Sequence, residues 1–245
     1  MSAPSPPTAD NGNKNSFILS AVDIAQVGEN GHVILVVGPQ QGKIQVSSDF
    51  LKYISPVFRA MFNSLMSEGE ALRNKVDGFP VEIVLSDDNP RALVLALRAL
   101  YGADVSTKTI AVEEIQQIAI FADKYDIVER LGFAAACWLN VPTSAITRAE
   151  TAWTLLIAAY LLKRERAFLD TSKMLSSKWK GSLLKFALEA HDRDLGLRLA
   201  IAIEELRNYS MTKRQELGLC LDCFMHATDS FVLRQNGCKS SGMHK

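Results

Sequence analysis

A chain of 245 residues with 27 Lys and Arg against 27 Asp and Glu carries no net charge that would draw it to nucleic acid or to an anionic membrane. Its 48% hydrophobic and 22% charged content excludes a wholly disordered protein and suits one large domain or two modest ones. The most apolar segment, Ala152 to Leu162, falls short of the about 20 residues a helix needs to span a bilayer, so no membrane partner is expected.

Residues 1–16 are rich in Pro, Ser and Asn without the apolar core of an export signal, which predicts a disordered leader and an intracellular chain, nucleus and cytoplasm undivided. Four cysteines in that setting fit reduced thiols. His32 to Gly38 is a β-branched run and Lys43 to Val46 follows the turn residues Pro39 to Gly42, which predicts a hairpin. The first strand is apolar on both faces and belongs inside a sheet or under helices. Ser47 to Asp49 start a short helix carrying Phe50, Leu51 and Ile54, and Ser55 caps a second one with Pro56 at its first position. Behind that cap Val57, Phe58, Met61, Phe62, Leu65 and Met66 form one apolar stripe.

A polar stretch from Ser67 to Gly78 leads to a third strand with Val81, Ile83 and Leu85 on its buried face. Asp88 or Asn89 then caps a helix that starts at Pro90, turns Leu93, Leu97, Leu100 and Tyr101 inward and ends at Gly102. Helices over Val112–Tyr125 and Ile127–Trp138 meet at Lys124-Tyr125-Asp126, a joint with Tyr125 buried. Beyond Pro142 all is helical: a helix capped by Thr143 or Ser144, then periodic segments over Ala167–Trp179, Leu183–His191 and Leu195–Cys223. Polarity predicts a frayed, disordered end over 236–245.

Catalytic and metal chemistry finds little support. Cys220, Cys223 and His226, with Cys238 and His244 beyond, are zinc-type ligands. On a continuous helix Cys220 and Cys223 could share one face, but the last pair lacks a tight spacing and lies in a polar tail, so thiols packed as small hydrophobes or left exposed are the favoured reading and no metal or cofactor is assigned. Asp192 or Asp194 in the His191–Asp194 run reads as a helix cap, and Glu113-Glu114 and Glu204-Glu205 as solvated helix faces whose carboxylates diverge. Lys163 to Arg166 suits a helix end. No phosphate loop or nucleophile elbow appears, and the protein is not expected to be an enzyme.

Four stretches carry a family likeness: HVILVVG, the line from Phe50 through SPVFRAMF, VEIVLSDDNPRALVLALRALYG, and IAIFADKYDIVERL. Together they resemble a BTB/POZ domain, most closely the fungal type in which the domain precedes an all-helical region. The resemblance implies an α+β fold, a small three-stranded sheet flanking a helical cluster over 17–141, then an all-α region over 142–235. It implies protein partners, through self-association as a homodimer or through recruitment. In many similar domains a hydrophobic-x-Glu motif after the SPVF helix contacts a cullin, and Met66 and Glu68 occupy that place, so a substrate adaptor for a cullin ubiquitin ligase is the alternative. A transcriptional regulator has least support: His32 and Ser47 stand where many members carry Asp and His, and no zinc fingers are seen.

Overall fold

The computed structural model describes residues 24–76, 78–102, 110–240 and 244. The leader over 1–16 therefore lies outside the described residues. The β-branched run forms β2 (Val33–Val37), and the hairpin partner is β3 (Gly42–Val46), paired antiparallel with Leu35 opposite Ile44. β4 (Val81–Leu85) lies parallel to β2 on its other side, with Leu35 opposite Ile83. The expected sheet of three strands has four, because the short β1 (Ala25–Gln26) adds to β3 in parallel, giving the order β1-β3-β2-β4.

β2 is thus central, and its two faces are buried by different means. Val33, Leu35 and Val37 turn into the core with no exposed surface. Ile34 and Val36 face outward, where Lys43 of β3 reaches Glu82 of β4 at 2.6 Å, the two long side chains coming from the strands on either side.

Two short helices follow, α1 (Ser48–Ile54) and α2 (Pro56–Asn63). Ser55 caps α2 by accepting the Phe58 N–H at 3.0 Å, with Pro56 at the first helical position. The polar stretch before the next strand holds a helix, α3 (Ser67–Arg73), which its composition did not indicate. α4 (Pro90–Tyr101) starts at Asn89, whose side chain accepts the Ala92 N–H at 3.0 Å, and closes at Gly102 with φ 70°. Tyr101, expected to face inward with Leu93 and Leu97, is partly exposed and packs edge-on against Phe50 at 5.3 Å. Next come α5 (Val112–Lys124) and α6 (Gly132–Trp138).

The second half is helical throughout: α7 (Ala149–Leu161), α8 (Glu165–Lys178), α9 (Leu184–Leu188), α10 (Arg193–Lys213) and α11 (Leu221–His226). α7 begins at Arg148 with no side-chain cap, since Thr143 and Ser144 sit in a separate turn in which Ala145 N–H reaches Pro142 O. Its buried residues, Ala152, Trp153 and Leu155 to Ala159, go almost all round the helix, as a helix packed on several sides requires. α7 lies between α5 and α8, and the buried apolar side chains form one continuous cluster from the sheet to Phe224.

Three helices end on residues other than glycine in the left-handed region. Asp126 (φ 52°), Lys163 (φ 55°) and Arg214 (φ 53°) take that conformation, and the next N–H bonds back five residues, to Ala122, Ala159 and Ser210. Arg214 has the largest effect. It stops α10 at Lys213, so the single periodic segment expected to run to Cys223 is two helices joined by an extended stretch.

Candidate partner-binding surface

The SPVF and DKYD stretches, far apart in sequence, share one buried network. Ser55 Oγ, besides capping α2, donates to the Tyr125 carbonyl at 2.6 Å. The Tyr125 ring stacks on Phe58 at 4.3 Å, and its hydroxyl donates to Asp88 Oδ2 at 2.6 Å. Lys124 Nζ meets both Asp88 oxygens, at 2.9 and 3.0 Å, so this buried carboxylate is paired. Burial first, and the Asp88 carboxylate second, raise the Tyr125 phenol well above its ordinary value. Fixing α2 in this way sets where its far end points.

That end is the candidate surface. α2 stops at Asn63, where Ser64 N–H and Oγ both donate to the Met61 carbonyl. Phe58 and Phe62 are buried, but the apolar stripe does not continue: Leu65 is 91% and Met66 72% exposed. Met66 is not the last turn of α2 but the N-cap residue of α3, its N–H donating to Ser64 Oγ at 3.2 Å.

Glu68 follows in the first turn of α3, half-buried, accepting from the Ser67 hydroxyl at 3.0 Å. Gly69 sets the corner, since a Cβ there would lie 2.1 Å from the Ser64 carbonyl oxygen. Arg73 fastens the other end by donating to that same carbonyl at 2.7 Å. Two large apolar side chains therefore stand in water on a braced turn beside an acidic residue. By spacing alone Leu65 and Met66 continue the apolar stripe of Phe58 and Phe62. The signal against that was the acidic pair Glu68 and Glu70, which suits the first turn of a new helix and makes Asn63 to Met66 a joint.

The remaining candidates are placed as follows. Asp192 caps α10 by accepting the Leu195 N–H at 3.0 Å. Glu113 and Glu114 sit in the first turn of α5, with Glu114 paired to Arg91. Glu205 is no solvated face: it accepts from the Ser230 hydroxyl and from the Phe231 N–H. Arg164 turns to the carbonyls of Leu162 and Gly132, and Arg166 to Asp170, so the basic run is spent on the α7–α8 corner. His32 Nε2 lies 2.7 Å from Ser48 Oγ. His226 is exposed, its Nδ1 2.8 Å from the Asp222 carbonyl oxygen, and stands apart from a group formed by Cys220, Cys223, Cys238 and His244. Among the described residues no helix is long and apolar enough to cross a membrane.

Compared with known protein families, residues 26–131 match the BTB/POZ domain. No curated protein matches the chain.

Proposed function

We propose, for a chain whose residues 26–131 are a BTB/POZ domain, that the α2–α3 corner is the surface through which it recruits a protein partner. BTB/POZ domains are in general protein-interaction modules. The observation that carries the reading is the exposure of Leu65 and Met66 on a turn braced by Gly69 and Arg73. A rigid apolar pair loses little entropy on docking, and burying each such side chain is worth about 1.5–3 kcal/mol. The reading asks only for binding, and no catalytic role is assigned to any residue.

Self-association is one form this recruitment takes, and light scattering tests it: a dimer at tens of micromolar supports it, and a clean monomer there removes it. A second reading has its own support. Met66, exposed, and Glu68, two residues on, satisfy a hydrophobic-x-Glu pattern at the place where similar domains meet a cullin. Co-purification with a cullin, lost in the Met66→Asp, Glu68→Lys double variant at unchanged melting temperature, supports a ligase adaptor. Absence of a cullin from the wild-type pull-down ends that reading while leaving other partners open.

A further inference from the structure

Four side chains that the recruitment surface does not use converge in the helical half. After Arg214 the chain crosses α8 in extended form, so close at Gly218 that a Cβ there would lie 2.3 Å from the Leu169 carbonyl oxygen. Leu219 N–H donates to Ser172 Oγ at 2.8 Å, which sets Cys220 as the N-cap residue of α11 and Cys223 within it. Phe224, next in α11, is fully buried in the core, with Arg198 donating to its carbonyl at 3.1 Å.

The chain then returns. Glu205 holds residues 230–231, Gln235 N–H donates to Cys223 Sγ at 3.3 Å, and Lys239 N–H donates to Asp222 Oδ2 at 2.8 Å. Residues 236–240 and 244, where polarity predicted a frayed end, thereby come to lie beside α11. Cys238 and His244 come with them.

The three Sγ atoms and a His244 ring nitrogen all lie within 4.8 Å of one another. Cys220 and Cys238 Sγ are 3.7 Å apart, Cys223 Sγ and His244 Nε2 3.5 Å, Cys238 Sγ and His244 Nε2 3.2 Å. Tetrahedral zinc with thiolates at about 2.3 Å and imidazole at about 2.0 Å spaces its ligands about 3.8 Å (S to S) and about 3.5 Å (S to N) apart. A disulfide would need sulfurs at about 2.05 Å, and all four cysteines of the chain are free. The spacing, C-x2-C, then C-x5-H after a 14-residue gap, is that of a zinc clip with Cys in place of one His.

We propose that Cys220, Cys223, Cys238 and His244 bind Zn²⁺ as a structural Cys3His site. Four protein ligands complete the tetrahedron and leave no position for substrate, so the ion fastens the returning segment to α11 rather than performing chemistry. The Gln235 N–H on Cys223 Sγ supports thiolate charge, and the Asp222–Lys239 bond orients the second half of the ligand set. Polarity obscured the set in the sequence, because Cys238 and His244 stand in a stretch expected to fray, and the bonds of Phe231, Gln235 and Lys239 are what return it to α11.

The full chain, purified under reducing conditions without chelator, is expected to retain one equivalent of zinc by elemental analysis. Replacement by Co²⁺ should give the intense visible bands and sulfur charge-transfer of a tetrahedral thiolate site. Cys238→Ser should weaken Co²⁺ binding by more than about 100-fold, beyond the usual cost of a residue that only orients a ligand. His226→Ala should keep full binding. His244→Ala, a change at the chain's end, should alter the cobalt spectrum even if Cys238→Ser proves poorly folded by circular dichroism. Substoichiometric zinc with an octahedral cobalt spectrum in the wild type, or a Cys220–Cys238 disulfide in the reduced preparation, would overturn the assignment.

Discussion

Ser55 joins the fold's local and long-range order through one hydroxyl, which accepts from Phe58 N–H and donates to the Tyr125 carbonyl with no solvent exposure. Ser55→Ala removes a cap and a buried bond together and is expected to cost about 2 kcal/mol in denaturant unfolding. Tyr125 adds a pH dependence. Its phenol is raised in the folded state by burial and by Asp88, so the unfolded phenol ionises first. Stability from this group is therefore complete below the ordinary value near 10.0 and falls as pH rises above it. Unfolding measured from about pH 8 to about pH 11 should show a steeper loss in the wild type than in Tyr125→Phe, and equal slopes would refute the linkage.

Between elements, the α2–α3 corner depends on a glycine. Gly69→Ala puts a methyl into backbone carbonyl, which no rotamer change relieves, and is expected to cost about 2–4 kcal/mol or to unfold α3 locally. Hydrogen exchange read along α3 and α2 separates these two results, and protection unchanged from wild type would contradict the packing. Much at this scale was legible beforehand. The Ser-Pro and Asn-Pro helix starts, the hairpin and the alternation of β4 follow from local chemistry, and all appear where that chemistry puts them. Helix stops were legible where glycine, the Lys124-Tyr125-Asp126 joint or the basic run from Lys163 marked them. Gly102 announces the end of α4, but Arg214 adopts the same left-handed conformation and stops α10 without announcing it. The fourth strand escaped because a two-residue parallel pairing has no periodicity to read.

Across the whole molecule, one core links the BTB/POZ domain to the helical half through α5 and α7. The α2–α3 corner stands outside that core, and its residues owe their visibility to the sequence unequally. Met66 and Glu68 were readable by position, whereas Leu65 became visible only once α2 ended at Asn63. Met66→Ala should weaken partner binding about 10- to 100-fold, since burying the side chain contributes about 1.5–3 kcal/mol and each 1.4 kcal/mol is tenfold. The most direct test is affinity purification of the intact chain from its own cells beside a Leu65→Asp, Met66→Asp variant of equal melting temperature. A defined set of proteins should be held by the wild type and lost from the variant. The same proteins on both would contradict recruitment through the α2–α3 corner.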